Sequence, residues 1–298
     1  MKNVNIGIIG AGRFGQLHLK SYNDSGLANI IASGRNPEKT AKTAQQFNAK
    51  PYNDYHDLLE DQEVEAVSVC VPAHIQADIA IDAINAGKHV MLEKPIATTL
   101  EDAYRIKEAA DKSNKVIMVG YVERYNPSLR RVKKLITENY LGELFRVSIK
   151  RGSRFSMRVP WAWETGMFVH MLGHNIDILR WLLNDEVERV YVESDSFMHK
   201  VKGEDDNICV LIRFKKGAIA VSEDCWTLPG NFPTEELDMR MDLVGTEGSL
   251  VLDNTNQMIS VCNTEKGWYF PGMLRWPGGV EEDSGMESYA LKDELTHF

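Results

Sequence analysis

The first 120 residues alternate between short unbroken apolar runs and longer segments of mixed polarity. VNIGII (4–9), ANIIAS (28–33), AVSVCV (66–71), HVMLEK (89–94) and VIMVGY (116–121) are the apolar runs. They are rich in β-branched residues, as strands buried on both faces should be. Between them, RFGQLHLKSYN, NPEKTAKTAQQF, IQADIAIDAINAG and LEDAYRIKEAADKSN read as helices, with Pro37 and Glu38 in one first turn and Gly87 as a stop. Strands alternating with helices predict a parallel sheet covered on both faces. From about Tyr121 the rhythm stops. A helix is expected in PSLRRVKKLITENY, a strand in LFRVSIKRGSR and a helix over Trp163–Leu183. ERVYVESDSF, NICVLIRF, GAIAVSEDCW, ELDMRMDLVG and GSLVLD then read as strands, with hairpin turns at Gly217 and Gly245–Gly248. The fold class expected is α/β: a doubly wound parallel sheet over residues 1–122, and a second domain with a mostly antiparallel sheet over 123–298.

The turn after the first strand reads GAGRFG. Strand, glycine turn and helix together are the context in which GxGxxG seats a dinucleotide. Gly10 permits the tight turn, Gly12 lets the backbone approach a pyrophosphate, and Gly15 lets helix and strand pack closely. Arg13 and Phe14 open the helix whose free N–H groups face the phosphate. A plain tight turn is the competing reading. Ligands of such sheets bind at the carboxyl ends of the strands. That edge gathers Gly10–Gly15, Ser33, Gly34, Arg35, Val71, Pro72, His74, Glu93, Lys94 and Tyr121. The second strand ends in SGRN, without the carboxylate that usually holds the ribose hydroxyls of NAD. Ser33, Gly34 and the guanidinium of Arg35 suit a 2′-phosphate, so NADP is favoured over NAD.

Net charge is −9 over 298 residues, which argues against a nucleic-acid partner or an anionic membrane surface. No apolar run approaches the ~20 residues of a bilayer span. Cys70, Cys209, Cys225 and Cys262 are scattered with no CxxC pair, as free thiols of a cytoplasmic protein are.

AGKHVMLEKPIATTLEDA, together with GAGRFG, VGYVERYNP and the later GTEGSLVLDN, resembles the glucose–fructose oxidoreductase/inositol dehydrogenase (Gfo/Idh/MocA) family over essentially the whole chain. The resemblance implies a Rossmann domain, then an α/β domain whose open sheet often forms a homo-oligomer interface. It implies a nicotinamide-dependent oxidoreductase acting on a sugar, cyclitol or nucleotide-sugar carbon. The family's EKP motif falls on Glu93, Lys94 and Pro95. Lys94 follows a buried strand, where desolvation lowers an amine's pKa and suits it to a proton relay. A surface salt bridge is its bland alternative.

The family's second signature is an acid four positions before a histidine, with Asp three positions after it. In GMFVHMLGHNIDILRWLL, His174 matches the histidine and Asp177 the trailing acid. His170 stands where the acid is expected, and the glycine comes one place late at Gly173. His170, His174 and Asp177 are spaced to share one helical face. His174 is the expected general acid/base, with Lys94 stabilising the substrate oxygen and His170 orienting His174 or a substrate hydroxyl. These groups are expected to face the nicotinamide from different domains. No metal centre is expected: two histidines four apart can hold zinc, but there is no HExxH. Either histidine could instead be structural. The missing acid also leaves open cofactor-assisted glycoside cleavage, or a dinucleotide-sensing regulator without turnover.

Residues 124–158 contain ten Lys or Arg against Glu138 and Glu143. Much of this is an ordinary solvated helix face. Arg124, Arg151, Arg154, Arg158, Tyr121, Trp163 and Asn175 are nevertheless candidate substrate contacts, the arginines toward a phosphorylated or nucleotide-linked sugar. The chain ends SYALKDELTHF, which reads as the opening of a helix that relatives continue, so a shortened C-terminus is expected.

Overall fold

The computed structural model describes residues 3–34, 37–154, 166–198, 205–229, 238–253, 258–265, 267–269 and 286–298. The chain divides into two compact units, Met1–Tyr125 with Pro277–Phe298, and Asn126–Trp276.

In the first unit the elements run β1 (Val4–Ile9), α1 (Arg13–Ser25), β2 (Ala28–Ser33), α2 (Pro37–Gln46), β3 (Lys50–Tyr52), α3 (Tyr55–Glu60), β4 (Ala66–Val69), α4 (Ala73–Asn85), β5 (His89–Glu93), α5 (Leu100–Asp111) and β6 (Ile117–Gly120). Among the described residues the sheet has the order β3-β2-β1-β4-β5-β6, and its pairings are parallel. The order reverses between β1 and β4, which is where doubly wound sheets open a ligand crevice. Ile9, Val67, Val69, Val90 and Leu92 are buried between the helical layers, which is why these strands read as continuous apolar runs. β3 and α3 lack such runs and escape the hydrophobic pattern.

The second unit starts with α6 (Pro127–Thr137), capped by Asn126, whose side chain accepts from Ser128 N–H. Then come β7 (Leu144–Arg154), a π-helical turn (Phe168–Leu172) leading into α7 (Gly173–Leu183), β8 (Val187–Asp195), β9 (Asn207–Phe214), β10 (Ile219–Leu228), β11 (Asp238–Gly245), β12 (Gly248–Asp253), β13 (Met258–Asn263) and β14 (Gly267–Tyr269). The sheet order is β14-β13-β12-β11-β7-β10-β9-β8. Its pairings are antiparallel except β7 with β10. One face packs against α6 and α7 through Leu129, Val132, Val147, Ile149, Ile178, Leu182, Ile212 and Phe214. The opposite face carries no helix among the described residues.

The last helix, α8 (Met286–His297), belongs to the first unit. Leu291 and Leu295 bury their side chains with Ile6, Leu19 and Tyr22. The expected second domain over 123–298 therefore loses its C-terminal helix to the first unit, because that helix completes an apolar layer over α1. No helix among the described residues is long and apolar enough to cross a membrane.

Candidate functional site

The glycine turn sits at the carboxyl end of β1, beside the end of β4. Gly10 has φ +106°, a left-handed conformation closed to other residues without strain. A Cβ there would also lie 2.4 Å from the Cys70 carbonyl oxygen. A Cβ on Gly15 would lie 1.8 Å from the Gly10 carbonyl oxygen, so only glycine lets α1 approach the turn this closely. Around Gly12, by contrast, a Cβ meets nothing within 4 Å. Gly12 is the N-cap of α1 and supplies no side-chain cap, and the first turn holds no acidic residue. An open, uncapped helix N-terminus framed by glycines fits a dinucleotide pyrophosphate.

The other expected edge residues join this turn in the same unit. Gly34 follows β2 and lies against Ala11, its N–H donating to Tyr52 O at 3.2 Å and its carbonyl accepting from Thr40 Oγ1 at 3.0 Å. Ser33 closes β2, while Arg35 lies outside the described residues. Val71 and Pro72 follow β4, and His74 is exposed in the first turn of α4. Tyr121 follows β6 and is half-buried, as are Arg124, Phe14 and Lys94; Arg13 is exposed.

Lys94 follows the last residue of β5, and its peptide bond to Pro95 is cis. Gln76 and His18 help hold this segment, and the sequence pattern pointed to neither. Gln76 on α4 donates to the carbonyl oxygens of Glu93 (2.7 Å) and Pro95 (2.8 Å). His18 on α1 places Nε2 2.8 Å from Glu93 Oε1, and its own side chain is fully buried. Tyr22 packs edge-on to His18 and bonds Ser68 Oγ at 2.8 Å; burial drives its phenol well above the ordinary range. A signal existed: His18 lies three and four residues from Gly15 and Tyr22, on the buried side of α1.

In the second unit, α7 carries His174, Asn175 and Asp177. His174 is half-buried and Asp177 buried. His170 lies in the π turn, half-buried, its ring 6.1 Å from that of Trp226. The expected simple i, i+4 relation of His170 to His174 is thus corrected. Each hydrogen bond of a π turn spans one residue more than an α-helical bond, so the phase upstream of Gly173 shifts by about one residue. The glycine found one place late sits where this shift ends.

Arg151 and Asn175 also need correction as substrate contacts. Arg151 is only 3% exposed and donates through Nε to Asn175 Oδ1 at 2.7 Å. Asn175, fully buried, donates to Ser222 Oγ (2.9 Å) and Asp224 Oδ1 (3.0 Å); Ser222 donates to Asp224 Oδ2 at 2.8 Å. Desolvation pushes the Asp224 carboxyl above the usual range, against the opposing pull of Ser222, Arg151 and Asn175. The guanidinium therefore braces α7 against β7 and β10 instead of presenting charge to solvent. Arg151 continues the inward phase of Val147 and Ile149, which is why the strand buries it. Lys133 of the basic run is structural too, donating to Trp181 O at the end of α7 at 2.5 Å. Arg154 is half-buried at the end of β7, while Trp163 and Arg158 lie outside the described residues. No cluster of metal-ligating side chains occurs among the described residues.

Residues 4–121 match the pattern of the Gfo/Idh/MocA oxidoreductase family, NAD-binding Rossmann fold, and residues 129–251 that of the GFO/IDH/MocA C-terminal domain. The chain is 26% identical over 272 residues to myo-inositol 2-dehydrogenase of Thermotoga maritima, covering 89% of this chain and 79% of that protein. It is 34% identical over 194 residues to inositol 2-dehydrogenase of Salmonella typhimurium, covering 62% of this chain and 56% of the relative. A solved structure of levoglucosan dehydrogenase, in complex with NADH and levoglucosan, shares the fold with a TM-score of 0.82 at 24% identity. That match covers 99% of this chain and 88% of the other.

Proposed function

From a chain that belongs to the Gfo/Idh/MocA family of oxidoreductases, we propose a dehydrogenase that oxidises a secondary hydroxyl of a cyclitol or sugar. The observation that carries this reading is the glycine turn. Gly10 and Gly15 admit no side chain, Gly12 stands open at an uncapped helix end, and Lys94 follows the strand two places along in the same sheet. Inositol and levoglucosan, which name the relatives' activities, are the first substrates to test.

When bound, the nicotinamide dinucleotide accepts the hydride, and that chemistry is the cofactor's own. The protein binds, orients and moves a proton. Gly10, Gly12 and Gly15 with the N-terminus of α1 hold the pyrophosphate. Lys94 bonds the substrate oxygen and stabilises its developing negative charge. His174 takes the hydroxyl proton, its imidazole being the side chain whose ordinary titration lies nearest neutrality. His170 occupies the position of the family's acid and bonds a neighbouring substrate hydroxyl.

NADP is the preferred dinucleotide in this reading, because Ser33, Gly34 and Arg35 replace the usual ribose-binding acid. Arg35→Ala then weakens NADPH binding more than NADH binding in a fluorescence titration; equal weakening removes the 2′-phosphate contact. The helix-free face of the second sheet, where Tyr191, Leu211 and Ile219 are exposed, is the proposed homo-oligomer interface. Leu211→Asp should lower the mass measured by light scattering.

The deciding experiment mixes the protein with NADP or NAD and a panel of myo-inositol, levoglucosan, sugar phosphates and UDP-sugars. Growth of absorbance at 340 nm supports the dehydrogenase. Cleavage of an aryl glycoside without net reduction points to a hydrolase. Tight dinucleotide binding without turnover points to a regulator.

A further inference from the structure

We propose that Gln76 is the positioning residue of Lys94, an inference that rests on the catalytic role given to Lys94 above. The β5 ladder ends at Glu93, paired with Gly120. Gln76 on α4 holds the main chain on either side of Lys94 from the flank. It is 1% exposed on α4, on the same buried side as Ala77, Ile79, Ala80, Ala83 and Ile84. An amide in such apolar company is costly unless it is bonded. A carboxamide has two N–H hydrogens, and here they go to the carbonyls of Glu93 at 2.7 Å and Pro95 at 2.8 Å, one on either side of Lys94. The Ile96 carbonyl lies at the longer distance of 3.4 Å.

The consequence is geometric. With the Glu93–Lys94 peptide held before it and the Pro95–Ile96 peptide held one residue beyond it, the Cα–Cβ direction of Lys94 is restrained, and its amine explores its own rotamers. The His18–Glu93 contact restrains the preceding side chain from the opposite element, α1. An apolar residue at position 76 would fill the same volume and leave two carbonyls without donors. Catalysis is sensitive to such slack, since a misplacement of about 1 Å can cost about a hundredfold.

The test uses Gln76→Met, which keeps the volume and removes both donors, and Gln76→His, which retains a single ring donor. Thermal melting checks folding, NADH fluorescence measures dinucleotide binding, and kcat is measured with whichever of myo-inositol or levoglucosan is turned over. Hydrogen exchange of a peptide covering residues 93–97 gives a readout independent of turnover. The expected result for Gln76→Met is a kcat lower by about tenfold to a hundredfold, NADH affinity changed less than about threefold, and faster exchange over 93–97 but not over β1. Gln76→His should fall between Gln76→Met and the parent, and it replaces Gln76→Met if the latter does not fold. Added to Lys94→Ala, the substitution should cost little more, because both remove one function. A folded variant with parental kcat and exchange overturns the inference, as does a full additional loss in the double variant. If Lys94→Ala alone keeps its activity, the role given to Lys94 falls instead, and the exchange over 93–97 still decides whether Gln76 fixes that segment.

Discussion

His18 Nε2 lies 2.8 Å from Glu93 Oε1, linking the helix that follows the glycine turn to the strand end that carries Lys94. The histidine is fully buried and the carboxylate nearly so. Hydrogen bonds to charged groups are worth about 1.5–3 kcal/mol. His18→Leu should therefore lower the unfolding free energy by about that amount, read from urea denaturation, whereas His18→Gln, which keeps a donor, should lose less. Equal losses in the two variants would show that packing, not the bond, is what His18 supplies.

Gly12 and Gly15 should separate binding from stability. The Gly12 position has room for a methyl group, so Gly12→Ala is expected to melt like the parent yet bind NADH at least about tenfold more weakly, through its approach to the pyrophosphate. Gly15→Ala forces its Cβ onto the Gly10 carbonyl. Overpacking of this kind costs about 1–3 kcal/mol or more, so its melting temperature should drop clearly. Calorimetry with and without NADH distinguishes the two cases.

Lys94→Ala and His174→Ala should each reduce kcat by at least about a hundredfold while NADH still binds. Steady-state rates alongside fluorescence titration check this. Losses below tenfold in both variants would refute the roles assigned to these side chains.

The Arg151–Asn175–Ser222–Asp224 network predicts both a stability loss and a pH effect. Asn175→Ala leaves Arg151 and Asp224 each short of a buried partner, at about 1–3 kcal/mol per group. Desolvation, the largest influence on Asp224, raises its folded-state pKa. A raised carboxyl contributes stability that is fully present below its unfolded pKa and is lost as pH rises through the folded value. The difference in unfolding free energy between the parent and Asp224→Asn should therefore shrink as pH climbs from about 4. A difference that is flat or grows with pH would contradict the burial cost assigned to this carboxyl.

The sequence alone determined what depends on local pattern. Continuous apolar runs marked β1, β2, β4, β5 and β6, because strands covered on both faces have no polar side. The spacing of Gly10, Gly12 and Gly15 was legible because Gly10 and Gly15 answer backbone requirements that no side chain can meet, and Gly12 leaves the helix end open. EKP marked Lys94 for attention. Tertiary structure decided what depends on partners distant in the chain. Gln76 reads as an ordinary polar residue of an amphipathic helix until α4 is laid beside the end of β5. Arg151 reads as one more cation in a basic run until β7 turns its inward phase onto Asn175, 24 residues away. The parallel pairing of β7 with β10 and the attachment of α8 to the first unit were equally hidden. A strand's composition records how deeply it is buried, but not which strand or helix lies beside it.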